Sequence, residues 1–413
     1  MTRIRLSPLQ RTSTTGGRSR STPLAFLGTC VLALLLGSFS AACASRGAIR
    51  PTLPSSVSPE EALRDSEADV QAGRFGEALT RVTAVQGERN LAPELRNRSD
   101  ALADRAVDGL DRAGAARPRA SELEELARLD LPLRQRSRLT VLAARAHLDE
   151  GGRIQAFKLL RDFEENNPGH PERAGASEVV AEAGFSLIAD DGRYGLFRRY
   201  RSRGIGALEL LVVRYPSHPR CAEAYEALAN AYVDRGDLDL AIARLEDLLL
   251  YHPRDPRAPG AEARLPRIRM ERVARDDYDR SELERARDEL SAWLERFEGL
   301  GDGTDPILAE LTATVRADLA RCQLRLANND LIVARYHRRI DQPFGVRQHA
   351  ARALDLALDA QSLGTQDASS GGATALIEDA EGLLAWAQAR EPEPTDAPAS
   401  DPVGAPSSGG TPE

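Results

Sequence analysis

Lysine is all but missing from this 413-residue chain: Lys158 stands alone, and arginine carries nearly all of the positive charge. Aromatic residues make up only 5 %, and β-branched residues are sparse. A strand-rich fold is therefore disfavoured, and any core must be assembled from Leu, Ala and Val. A basic excess is lacking too. The net charge of −8 argues against a dedicated nucleic-acid binder, because such binding rests on Lys and Arg neutralising phosphates. The histidines (147, 170, 218, 252, 337, 349) are dispersed, with no i, i+4 pair and no cysteine at metal-ligand spacing, so neither a metal nor a cofactor is expected. Walker A, G-x-S-x-G and H-E-x-x-H motifs are all missing, and no enzyme is expected. Paired acids such as Glu164-Glu165 read as solvated helix surface. What is abundant is Ala, Leu, Arg and Glu, all good helix formers, which points to an all-α protein.

The first 22 residues hold Arg3, Arg5, Arg11, Arg18 and Arg20 and no acid, and the apolar run "PLAFLGTCVLALLLGSFSAAC" follows. A positive start, an apolar stretch and a small-residue exit are the anatomy of a secretory signal. An uncleaved membrane-spanning helix is the competing reading, weakened by Gly37, Ser38 and Ser40. The exit, Ser40-Ala41-Ala42-Cys43, resembles a bacterial lipobox, with Ser40 where Leu is usual. That resemblance implies that Cys43 is lipidated and anchors the chain. Ala44 after the cysteine leans towards the outer membrane. Of the remaining cysteines, Cys221 and Cys322 read as small, half-buried helix residues rather than a disulfide.

The phrases "NPGHP", "YPSHPR" and "YHPRDPR" place proline pairs at 168 and 171, 216 and 219, and 253 and 256. Each pair separates two helical segments. The first proline ends a helix by removing a donor and clashing with the preceding turn. The second sits at or near the first turn of the next, where a missing N–H costs nothing. Between two phrases, residues 222–255 carry Tyr225, Leu228, Ala229, Tyr232, Gly236, Ala241, Leu245 and Pro253. These reproduce the 34-residue tetratricopeptide pattern W-x₂-L-G-x₂-Y…A-x₃-F…P, with Tyr for Trp, Ala for Gly and Leu for Phe. Residues 137–170 and 59–85 keep parts of the register, the latter opened by the capping box Ser58-Pro59-Glu60-Glu61. Residues 185–218 hold a copy whose first helix is blurred, and residues 93–130 read as helices out of register.

Further on, a capping box at Ser281 and Glu284 opens a helix with the stripe Ala286, Leu290, Trp293, Phe297. A helix over about 306–326 is expected to break at "ANND" before a short helix, "LIVARYHRR", and a helix over about 344–362. "LGTQDASSGGAT" is expected to be a flexible break, and a last helix follows near 373–389. The Pro-, Ser- and acid-rich stretch 391–413 is expected to be disordered. The expected organisation is a signal peptide (1–42), a tether (43–57), tetratricopeptide hairpins (58–270), C-terminal hairpins (271–362), a linker and terminal helix (363–390) and a tail (391–413).

The segments "RYPSHP", "AYEALANAYVDRGDLDLAIARLEDLLLYHPRDP" and "RADLARCQLRLANNDLIVARYHRR" behind a lipobox cysteine resemble the BamD family, lipoproteins of outer-membrane β-barrel assembly. Leu319-Ala320, Ala334 to Tyr336 and Ala351-Arg352 stand in that family's order, and the likeness is best over about 195–360. The resemblance implies a tetratricopeptide α-α solenoid. Its partners would be a BamA-type barrel protein and unfolded outer-membrane clients, at the periplasmic face of the outer membrane. The general alternative is an envelope lipoprotein scaffolding a secretion or cell-wall complex. One patch, "RYGLFRRYRSRG", sets Arg193, Arg198, Arg199, Arg201 and Arg203 among aromatics and is a candidate partner surface, unless its arginines pair with neighbouring acids.

Overall fold

Ser58 caps the first helix as its box predicts. In a computed structural model of the chain, which describes residues 48–194, 198–275, 280–297, 305–364 and 369–390, the Glu61 amide donates to the Ser58 hydroxyl (3.2 Å) and Pro59 opens α1 (Pro59–Gln71). The other helices are α2 (Phe75–Gln86), α3 (Pro93–Arg112), α4 (Ala120–Ala127), α5 (Leu133–Asp149), α6 (Arg153–Asn166), α7 (Arg173–Ile188) and α8 (Tyr200–Arg214). They continue as α9 (Cys221–Val233), α10 (Leu238–Tyr251), α11 (Ala258–Arg272), α12 (Arg280–Phe297), α13 (Pro306–Arg339), α14 (Pro343–Ser362) and α15 (Ser369–Gln388). The only β-ladder among the described residues pairs β1 (Arg193–Tyr194) antiparallel to β2 (Arg198–Arg199). The fold is all-α.

Each helix packs on the next except α3, which packs on α2 and α5 rather than on the short α4, and the odd-numbered helices also touch one another: α1 on α3, α3 on α5, α5 on α7, α7 on α9. This stacking of antiparallel hairpins along one row is the tetratricopeptide α-α solenoid. All fifteen described helices belong to one compact unit. Its core is four large successive pools of side chains and a small fifth one of Phe157, Ala183 and Ala207, and not one central mass. That is what nearest-neighbour stacking dictates, since a repeat has no other surface to bury against.

The signature positions explain the packing. Leu228, Ala229, Ala241 and Leu245 are completely buried, and Tyr225 and Tyr232 nearly so. The alanines let α9 and α10 approach, while the tyrosines and leucines reach the adjoining hairpins. Gly236 turns between the two helices at φ +78°, a left-handed conformation that a side chain would strain. Each proline phrase lies between helices as read. The second proline of each pair stands one position before the N-cap (Glu172, Arg220, Arg257), just outside the first turn.

Several expectations need correction. The blurred repeat has a distinct first helix, α7; what hid it is the β1–β2 hairpin, inserted where the other repeats have a short glycine turn. Close packing returns beyond the insertion: a Cβ on Gly204 would lie 2.3 Å from the Ile188 amide nitrogen, so only glycine lets α8 cross α7 there. α12 as described already includes Arg280, one residue ahead of the expected box, and Arg280 bonds Glu284 (2.8 Å). "ANND" does not break the chain: α13 runs unbroken for 34 residues. Asn329 and Asp330 point inwards, where polar partners satisfy them, so their loop-like composition has no local effect. The last helix begins at Ser369, inside the stretch expected to be flexible. Glu164 is not solvated surface but 1 % exposed. Cys221 and Cys322 are fully buried rather than half-buried, and both are free thiols.

Candidate partner-binding surface

Of the five arginines of the patch, Arg193, Arg198 and Arg199 fall on the β1–β2 hairpin and Arg201 and Arg203 on the first turn of α8. In that hairpin Arg193 lies opposite Arg199 in the backbone register, and Arg199 is exposed. Arg201 is engaged by acids: it pairs with Asp234, the C-cap of α9, and lies 3.6 Å from Asp191. Arg203 turns elsewhere. It lines a cleft of about 490 Å³ with Arg153, Lys158, Arg161 and Tyr200, so α6 and α8 each contribute basic groups. The patch is therefore divided, and the sequence missed the half supplied by α6, because those residues lie some 40 positions earlier.

Local structure gives the cleft its sign. Neither α6 nor α8 has an acid in its first turn, so the partial positive charge of each helix start is uncompensated there. Arg153 lies over the Tyr200 ring (5.2 Å) and bonds Asp190 (2.7 Å). The Asp190 carboxyl is held below the usual range by the Gly192 amide and by Arg153. Arg161 bonds Asp162 (2.6 Å). The lining holds four cations and no acid, and two of them, Arg153 and Arg161, bond Asp190 and Asp162, so the cleft is a partly compensated basic surface.

The histidines of the proline phrases are buried supports. His170 Nε2 lies 2.9 Å from Glu164, and Arg173 bonds the same carboxylate (2.5 Å). Burial pushes the His170 pKa down, opposed by the Glu164 carboxylate and assisted by Arg173. His218 accepts from the Arg220 amide through Nδ1 (3.2 Å), while its Nε2 is 3.3 Å from Glu178 of α7. Burial and a bond to Glu209 raise the Tyr232 hydroxyl to about 12. These contacts weld one hairpin to the next. They do not converge on a cavity with a nucleophile.

The cysteines are equally structural. Cys221 donates to the Tyr215 carbonyl (3.2 Å) and Cys322 to the Leu283 carbonyl (3.1 Å). Burial pushes the Cys322 thiol to about 12. Among the described residues no group of three or more His, Cys, Asp or Glu could hold a metal, and no helix is long and apolar enough to cross a membrane. Cys43, the signal and the tail from 391 lie outside the described residues.

Three comparisons with known proteins were made. No family model matches the chain, and no curated protein does. Among solved structures, tetratricopeptide-like repeats of a putative kinesin light chain from Podosopora anserina are 17 % identical over 58 % of this chain and 100 % of that one, with a TM-score of 0.28. The C-terminal part of a repeat-containing protein from Cytophaga hutchinsonii is 10 % identical over 75 % and 98 %, TM-score 0.28. A tetratricopeptide repeat protein from Parabacteroides merdae is 14 % identical over 78 % and 98 %, TM-score 0.23. All are repeat proteins of the same general kind, and nothing about partners follows from them.

Proposed function

We propose that this chain is a lipid-anchored periplasmic scaffold for outer-membrane β-barrel assembly, binding a BamA-type barrel protein and its unfolded clients. The observation that carries the reading is a coincidence within one sequence. A lipobox-type Cys43 stands ahead of tetratricopeptide hairpins, and residues 195–360 keep the BamD-like order of Leu319-Ala320, Ala334 to Tyr336 and Ala351-Arg352. Stacked hairpins suit this work: they expose long helix rows to a partner and need no catalytic cluster. The divided arginine cleft between α6 and α8 supplies a place for a partner's acidic group. A triacylated Cys43 would hold the chain stably at a leaflet, where one acyl chain gives only marginal binding of about 10⁴ M⁻¹.

A second reading, a general envelope scaffold for secretion or cell-wall machinery, is favoured by α3 and α4, which lengthen the chain beyond the resemblance. Depletion separates the two. If the proposal holds, depleting the protein leaves outer-membrane β-barrel proteins unfolded, read as loss of their heat-modifiable gel mobility. Normal barrel folding together with failure of another envelope process would overturn it in favour of the second.

A further inference from the structure

The turn joining α13 to α14 carries an exposed apolar cluster that the stacking of hairpins does not use. Of eleven large apolar side chains left exposed among the described residues, three lie within nine positions: Tyr336 (52 % exposed), Ile340 (46 %) and Phe344 (67 %). Asp341, between them, is the one non-glycine described residue with positive φ (+51°), where comparable turns use glycine. Strain of this kind persists where surrounding structure holds it. Here Arg390, from the end of α15, lies 3.4 Å from Asp341.

The charge around the cluster is basic. Arg338 lies over the Trp386 ring (5.7 Å), and Arg390 lies over the same ring (4.3 Å). Arg347 lies over Phe344 (5.7 Å), and Arg339 is exposed. Asp341 is matched by Arg390, and Asp379 of α15 by Arg335. Aromatic and aliphatic side chains ringed by arginine are what an anionic lipid interface takes up.

We infer that the α13–α14 turn docks on an anionic lipid surface, with Tyr336, Ile340 and Phe344 entering the headgroup layer and Arg338, Arg339 and Arg347 meeting phosphates. A lipid surface fits better than a folded protein partner. Three side chains on a turn fall far short of the roughly 800 Å² per partner that a stable protein interface buries. The net charge of −8 would repel the remainder of the chain from an anionic bilayer, so that contact is confined to this turn. The inference does not depend on lipidation of Cys43.

Trp386 is a built-in reporter. It lies half-buried beside the turn, whereas Trp293, the only other tryptophan, is completely buried. The full-length protein is mixed with phosphatidylglycerol vesicles carrying brominated acyl chains. Quenching of Trp386 is expected, lost in phosphatidylcholine vesicles and in Phe344→Ser/Ile340→Ser. Arg338→Gln/Arg339→Gln should weaken binding by about fivefold for each charge removed. Three results would overturn the inference: unquenched Trp386 on bound protein, quenching indifferent to these substitutions, or quenching only after residues 391–413 are deleted, which would mean that the acidic tail occupies the turn.

Discussion

The hairpins α9–α10 and α13–α14 do the same job by different means. The first turns on Gly236 at φ +78°, is bounded by proline phrases and buries Leu, Ile and Tyr. The second turns on Asp341 at φ +51°, has no proline phrase, and is joined by a seam of alanines (327, 334, 350, 353, 357) around Leu331 and Val346. The first is held by shape. The second leans on buried charge: Asp330, fully buried in α13, binds Arg280 of α12 (2.8 Å) and His349 of α14 (2.8 Å). Asp318 does the same with Arg267 of α11 (2.6 Å). A repeat can therefore lose its signature residues and keep its stacking, provided that polar contacts replace the lost complementarity.

The comparison can be broken most severely at the α7–α8 crossing. Gly204→Val would drive a side chain into the Ile188 backbone, which cannot yield, and should cost upwards of about 3 kcal/mol in urea unfolding followed by circular dichroism. Next, Asp330→Ala removes the buried acceptor shared by Arg280 and His349, although Arg280 keeps Glu284, and should cost about 2 kcal/mol. If the C-terminal hairpins rest on shape alone, that loss would shrink to the level of an ordinary surface change. The two turns should then respond in opposite directions. Gly236→Ala is expected to cost about 1 kcal/mol, whereas Asp341→Gly should be neutral or stabilising by under about 1 kcal/mol, a gain offset by loss of the Arg390 contact.

The smallest effect is a pH dependence in the middle hairpins. Burial lowers the His170 pKa, so below about 6.5 the unfolded chain takes up a proton that the folded chain refuses. Stability from this residue is complete above that value and falls as the pH drops through it. The slope is at most about 1.4 kcal/mol per pH unit. His170→Gln should flatten the dependence of the melting temperature between pH 7 and 5.5. An unchanged slope would assign it to other groups.

How far the sequence could be read follows from the same contrast. The Ser58 cap, the phrases and the 222–255 repeat were legible because each rests on local chemistry: an N-cap oxygen, a missing N–H, a left-handed glycine. The reading failed where distant partners decide the outcome. Asn329 and Asp330 look like a loop until Arg280 and His349 arrive from other helices. Glu164 looks solvated until His170 and Arg173 fold over it. The cleft between α6 and α8 was half legible, as a run of arginines around 198–203, and its other half came only with packing. The exposed turn at 336–344 carried no signal, since isolated Tyr, Ile and Phe in a helical pattern read as core.

The most direct test of the central claim is a gentle detergent pull-down of the C-terminally tagged protein from its native membrane, quantified by mass spectrometry. A BamA-type barrel protein should be recovered in near-stoichiometric amount, and less of it when Arg153, Lys158, Arg161 and Arg203 of the α6–α8 cleft are neutralised. Enrichment of a different envelope complex, with no barrel-assembly protein present, would contradict the claim and leave a repeat scaffold that serves other machinery.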